Sequence, residues 1–361
     1  MRKVFIGITL LLVVSPELVH AAELEVSGWI PYWRSETAAE AVHPHLDGVT
    51  EVNPFGYSVS SSGTLLDTAK MRQPPWPELI TEAQKKKVRV IPTVMWSDGE
   101  AIHQTLSNTD KRRALATEIA DLVKNEGYDG IDINFENKHA ETKDYFSLFL
   151  KGLYTKMGNK WVMCSIEART PLESRYTSLP PAHATQYAND HREIGKYCDR
   201  VRIMTYDQGG VDVRLRAMRS APYLPVSDPA WVEKAVLETA KSIPLKKIVI
   251  GIPTYGYEHE MLILPDGTFS YKQLKAFNPK YALDIAANFG ITPSRNEAGE
   301  MSFVYAPTTT PTTIRVLWWS DATAIRDKIL LAQRLGVRGV AVFKFDDTAD
   351  PALWKTLKTA R

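Results

Sequence analysis

The 361-residue chain is 44% hydrophobic, 24% charged and 10% aromatic, a globular composition that excludes disordered, collagen-like and disulfide-stapled miniprotein classes. Its 44 basic and 42 acidic residues leave a formal net charge of +2, so it carries no basic footprint for nucleic acid. Trp (9) and Tyr (15) outnumber Cys (2), which points to ring-shaped ligands more than to redox chemistry.

Residues 1–21 read as a secretory signal peptide. Arg2 and Lys3 form a positive start, Val4 to Val14 is a mostly apolar run, and Val19-His20-Ala21 gives an A-x-A-like cleavage pattern. The run is too short to span a bilayer, which takes about 20 apolar residues. The expected location is therefore secreted or in the cell envelope. Export permits Cys164 and Cys198 to pair. Both also border apolar, strand-like runs that suit buried free thiols, so both states stay open.

Short β-rich runs alternate with helical stretches along the rest of the chain. Strands are expected at Leu24–Ile30, Val49–Tyr57, Val88–Met95, Gly130–Glu136, Trp161–Glu167, Arg200–Tyr206, Ile248–Thr254 and Gly339–Phe345. Between most of them lies a helix with readable ends. Leu115, Ile119, Leu122 and Val123 have helical spacing and Gly127 stops them; Asp228-Pro229 is a cap and a first-turn proline; a further helix runs from about Asp321 to Gly336. Alternating β and α units require parallel strands with right-handed crossovers, and eight units close a (β/α)8 TIM barrel of the α/β class, typically about 250 residues. The surplus lies between Tyr257 and Thr313, where Asp266-Gly267 marks a hairpin, Tyr281 to Phe289 is helical and Met301 to Tyr305 is a strand. The expected organisation is a signal peptide (1–21), barrel strands one to seven (22–256), a small α+β insertion (257–314), and strand eight with the last helix (315–361).

Catalytic side chains of such barrels sit at the C-terminal ends of the strands. The fourth strand reads Gly130-Ile131-Asp132-Ile133-Asn134-Phe135-Glu136. Alternation puts Asp132, Asn134 and Glu136 on one face and Ile131, Ile133 and Phe135 on the other. The apolar face suits the covering helices, so the polar row faces the interior with Glu136 at the mouth. Such a row is costly unless its members bond one another.

Asp129-Gly130-x-Asp132-x-Asn134-x-Glu136 resembles the D-G-x-D-x-D-x-E signature of glycoside hydrolase family 18. Met204-Thr205-Tyr206-Asp207 is similar to the family's sixth-strand M-x-Y-D motif, and Gly251-Ile252-Pro253-Thr254-Tyr255-Gly256 to its seventh-strand segment. The opening Gly28-Trp29-x-x-Tyr32-Trp33 and Pro54-Phe55-x-Tyr57-Ser58 resemble the spore-germination and cortex-lytic branch, without LysM repeats. The likeness spans essentially the whole chain after residue 21.

The resemblance implies a retaining, acetamido-assisted glycosidase that needs no cofactor or metal. Glu136 matches the acid/base, with a pKa raised by burial and by Asp132. Tyr206 matches the residue that holds the substrate's acetamido oxygen over the anomeric carbon, and Asp207 its acidic neighbour. The substrate class is an N-acetylglucosamine-containing polysaccharide, chitin or peptidoglycan, and the protein is expected to act as a monomer. Asn134 departs from the signature: its oxygen can accept the acetamido N–H, as in the Asn-using family 85 endoglycosidases, but it brings no negative charge. That amide also supports a second reading, a weak or inactive glycan-binding protein on the same barrel.

Trp29, Trp33, Tyr57, Trp96 and Phe343 are candidate sugar platforms, Phe343 standing where the family usually places tryptophan. Glu167 and Arg169 either line the cleft or pair with each other. His43 and His45 alone make a poor metal motif, and Gly56-Tyr57-Ser58-Val59-Ser60 lacks the last glycine of a nucleophile elbow.

Overall fold

From Glu25 onward the alternation of apolar strands and capped helices closes into a ring. The computed structural model describes residues 23–310, 313–346 and 352–361; the signal-peptide reading falls outside them. The barrel strands are Glu25–Pro31, Glu51–Phe55 continued by Tyr57–Val59, Arg89–Val90 continued by Thr93–Trp96, Gly130–Phe135, Trp161–Glu167, Arg200–Met204, Ile248–Pro253 and Gly339–Phe343. Each pairs in parallel with its successor, and the eighth pairs with the first through Glu25↔Gly339. This is a (β/α)8 TIM barrel, with strands two and three interrupted at Gly56 and at Ile91-Pro92.

The helices start and stop for local reasons. Asn108 Oδ1 accepts from the N–H groups of Asp110 and Lys111, both at 3.0 Å, at the head of Thr109–Asn125. Leu115, Ile119 and Val123 turn inward from that helix. Asp228 caps Pro229–Ala240, Asp321 caps Ala322–Leu335, and Gly336 ends the latter in the left-handed conformation. Among the described residues no helix is long and apolar enough to cross a membrane.

After strand seven the chain enters a five-stranded antiparallel sheet. Its order is Phe269–Phe277, Gly256–Ile263, Ile314–Trp319, Met301–Tyr305, Ser294–Arg295, and helix Pro279–Phe289 packs beside it. Phe277, Ala282, Ala286, Phe303, Leu317 and Trp319 form its own small core. Ile314–Trp319 has no counterpart among the expected strands; it is the central strand, paired on both edges. Buried Glu300 accepts from the N–H groups of Val226 and Ser227, both at 2.8 Å, fastening the sheet to the barrel. Cys164 in strand five is disulfide-bonded to Cys198 just before strand six, with Cα atoms 5.9 Å apart, which resolves the question left open by sequence.

Candidate active site

The fourth strand divides its polar row between two layers. Asp132 is fully buried, below the cavity. It accepts from Trp29 Nε1 at 3.1 Å, Thr93 Oγ1 at 2.9 Å and Ser165 Oγ at 2.9 Å, and it pairs with Arg202 at 3.0 Å. Arg202 pairs in turn with Glu51, which also takes bonds from Asn53 and Arg89. The expectation that the row bonds within itself is therefore corrected at Asp132. A buried carboxylate needs its charge matched, and Arg202 on strand six supplies the match.

Asn134 and Glu136 form the upper layer. The Asn134 amide donates to Glu136 Oε1 at 2.8 Å, while its own Oδ1 is buried and takes no bond within the protein. Burial pushes the Glu136 carboxyl above its ordinary value; the Asn134 bond opposes this, Glu167 adds repulsion, Lys138 opposes it and Asp207 adds a little more. Asp132 is not among these causes, so the repulsion expected from it comes instead from Glu167 and Asp207.

Tyr206 follows strand six and stacks on Phe343, with ring centroids 5.4 Å apart and planes at 20°. A Cβ at Gly251 would lie 2.9 Å from the Tyr206 ring and 2.6 Å from the Ile203 carbonyl, so only glycine lets the tyrosine lie this close to strand seven. Burial, then the charges of Asp207, Glu136 and Asp132, hold the phenol well above its ordinary pKa. It is a neutral hydroxyl. Asp207, in the left-handed region at φ 58°, accepts from Tyr255 at 2.5 Å and Tyr257 at 2.7 Å.

These groups line a cavity of about 400 Å³ together with Trp29, Phe55, Glu167, Met204, Trp231 and Phe343. A second hollow of about 560 Å³ shares Asp207 and Phe343 with it and adds Trp33, Tyr255, Tyr257, Lys275, Asn278 and Lys344. Together they make a groove running from the barrel mouth to the antiparallel sheet.

The aromatic candidates separate cleanly. Trp29 and Phe343 line the cavity, and half-exposed Trp33 lines the second hollow. Tyr57 and Trp96 do not reach the groove. Tyr57 is 5% exposed and its hydroxyl bonds that of Tyr128 at 2.9 Å; Trp96 is 2% exposed and packs edge-on against Phe135. Glu167 faces the cavity, held by Asn189 Nδ2 at 2.7 Å and the Asn137 N–H at 3.3 Å. Arg169 turns away to the Asn189 carbonyl and the Tyr187 ring. Phe55 and Trp231 were not among the expected platforms; the inward position of Phe55 follows from alternation with Asn53, whereas nothing local marks Trp231.

The model of glycosyl hydrolases family 18 matches residues 28–347. The chain belongs to glycosyl hydrolases family 18. As a family 18 member it is a glycosidase. It is 26% identical over 319 residues to the cortical fragment-lytic enzyme of Bacillus subtilis (strain 168), covering 86% of this chain and 67% of that one. The crystal structure of the spore cortex-lytic enzyme SleL of Bacillus megaterium QM B1551 superposes with a TM-score of 0.73 at 21% identity, over 93% of this chain and 73% of that one. A chitinase from Chromobacterium violaceum ATCC 12472 gives 0.73 at 19% identity, over 93% and 98%. The family 18 assignment agrees with the cortex-lytic resemblance of the sequence motifs.

Proposed function

We propose that this family 18 glycosidase is exported and cleaves β-1,4 linkages next to N-acetylglucosamine, in chitin, chito-oligosaccharide or peptidoglycan. The observation that carries the reading is one cluster. A carboxyl with a raised pKa, a buried amide oxygen with no protein partner and a neutral tyrosine hydroxyl share one aromatic-lined cavity. The names of the relatives, cortex-lytic and chitinolytic, support the substrate class.

The steps follow from those groups. Glu136 gives its proton to the glycosidic oxygen as the C–O bond breaks and the leaving sugar departs as an alcohol. The substrate's own acetamido oxygen bonds to the anomeric carbon, so the ring intermediate is an oxazolinium and no protein nucleophile is used. Asn134 Oδ1 accepts the acetamido N–H, and the Tyr206 hydroxyl donates to the acetamido oxygen. Glu136, now a carboxylate, takes a proton from water as that water's oxygen bonds to the anomeric carbon and the oxazolinium ring opens, giving net retention. Asp132 acts from below, fixing Trp29 as the cavity floor. The insertion between Gly256 and Trp319 extends the groove as a wall bearing Tyr257, Lys275 and Asn278. No cofactor is required at any step.

Incubation of the protein lacking residues 1–21 with chitin oligosaccharides and with purified peptidoglycan, followed by mass analysis, tests the reading. New N-acetylglucosamine reducing ends are expected from at least one polymer. None from either overturns it.

A further inference from the structure

Cleavage of a glycosidic bond builds positive charge at the sugar ring, and a fixed anion in a poorly hydrated site lowers the cost of that charge. Three carboxylates line the cavity: Glu136, Asp207 and Glu167. Glu136 is the proposed proton donor and is neutral when the bond breaks. Asp207, held by two tyrosine hydroxyls, also lines the second hollow towards the antiparallel sheet and acts on Glu136 less than Glu167 does. Asp132 is absent from the cavity wall, its charge matched by Arg202. Asn134 brings no charge at all. Glu167 remains.

The sheet aims Glu167 at the same place. Strands four and five pair as Asp132↔Met163 and Ile133↔Cys164, so Glu167 ends its strand beside Glu136. Ser165 faces inward, since its hydroxyl bonds Asp132, and Glu167 two residues later shares that face. Asn137, left-handed at φ 55°, and the largely buried Asn189 each give it one hydrogen bond. Both contacts come from neutral groups, and Arg169 is engaged elsewhere. Buried Lys138, whose charge interacts with Glu167, donates to the Phe135 carbonyl rather than forming an ion pair with the carboxylate.

We propose that Glu167 supplies, from strand five, the negative charge that the amide of Asn134 cannot supply from strand four. The inference rests on the glycosidase mechanism proposed above. The charged and titratable groups around Glu136 are Glu167, Asp207, Tyr206 and the buried Lys138. Of these, Glu167 contributes the largest repulsion favouring a protonated Glu136. Glu167 thus has two effects of one sign: it keeps the proton on the acid and stabilises the cation formed once the proton has left.

The test is a charge relocation, read on whichever substrate the wild type cleaves. Glu167→Gln keeps the shape and the Asn137 contact while removing the charge. It is expected to lower kcat on the order of 10-fold or more, with little change in KM, and to move the basic limb of the pH profile to lower pH. Asn134→Asp combined with Glu167→Gln is expected to recover most of the lost kcat and return the basic limb towards the wild-type position. Glu167→Gln with wild-type kcat and pH profile, or a double variant no faster than Glu167→Gln, overturns the proposal. Glu136→Gln run alongside separates the two readings. An inactive Glu136→Gln with a fully active Glu167→Gln rejects only the role of Glu167, whereas an active Glu136→Gln rejects the underlying mechanism.

Discussion

The side-chain amide of Asn134 donates to Oε1 of Glu136 at 2.8 Å and leaves its own oxygen buried with no protein partner. One amide thus holds the acid by its nitrogen and presents an acceptor to the cavity by its oxygen. A donor of this kind favours the charged form of Glu136, against the burial that disfavours it.

Asn134→Ala removes that donor, so burial acts unopposed and the Glu136 pKa rises further. The basic limb of kcat/KM is expected to move to higher pH, and the loss of the acceptor is expected to lower kcat on the order of 10-fold or more. A pH–rate series on both proteins checks the direction. An unmoved limb would mean that Glu136 is not the titrating acid.

Glu136→Gln keeps the shape and removes the transferable proton. Turnover is expected to fall by ~10²–10⁴-fold, while oligosaccharide binding measured by calorimetry stays close to wild type. Wild-type turnover in this variant would refute the assignment.

Tyr206→Phe removes a hydroxyl from a ring whose position is set by Phe343 and Gly251. Loss of one oriented donor of this kind costs about 10²–10³ in kcat, and affinity is expected to change far less. A rise in KM at constant kcat would instead make Tyr206 a simple binding contact.

At the opposite end of the barrel, Glu25 is pushed up by burial. Hydrogen bonds from Arg200 and Arg338, with the charges of Arg200 and Arg89, outweigh this and bring it from 4.5 down to about 2. A depressed carboxylate stabilises the fold above its unfolded value, and that stability is lost as pH falls from near 4.5 towards 2. At 1.36 kcal/mol per unit, the contribution is about 3 kcal/mol. Thermal melts between pH 7 and 2 are expected to show this loss. Glu25→Gln is expected to melt lower at neutral pH and to depend less on pH in that window.

Most of the barrel was legible because its information is local. Strand four declares its two faces through alternation, and the caps at Asp228 and Asp321 lie beside the helices they start. Asn134, Glu136 and Tyr206 could be placed for the same reason. What escaped depends on distant partners. Arg202 decides the state of Asp132 from seventy positions away, and no spacing in either strand announces it. Tyr57 and Trp96 failed as platforms for two different reasons. Asn53 faces inward, but the interruption at Gly56 shifts the phase, so Tyr57 turns out to the helices. Trp96 lies one residue off the sequence of inward positions that includes Thr93 and Met95. The central strand Ile314–Trp319 was hidden because both of its faces are buried, Val316 and Trp318 in the main core and Leu317 and Trp319 in the core of the insertion, so it reads as an apolar run rather than as an alternation.

The bond between Cys164 and Cys198 makes the stretch between them a clasp with two fixed feet. One foot lies in the strand that ends at Glu167 and the other follows the helix His191–Tyr197 that comes after Asn189, while Leu179 between them is 93% exposed. A protease cut at that exposed point would leave a single molecule whose pieces part only on reduction, with the carboxylate and its asparagine still anchored on their own sides. Exposed loop positions of this kind also tolerate added length. The rim of the groove at this point can therefore be lengthened or severed without moving the charge beneath it.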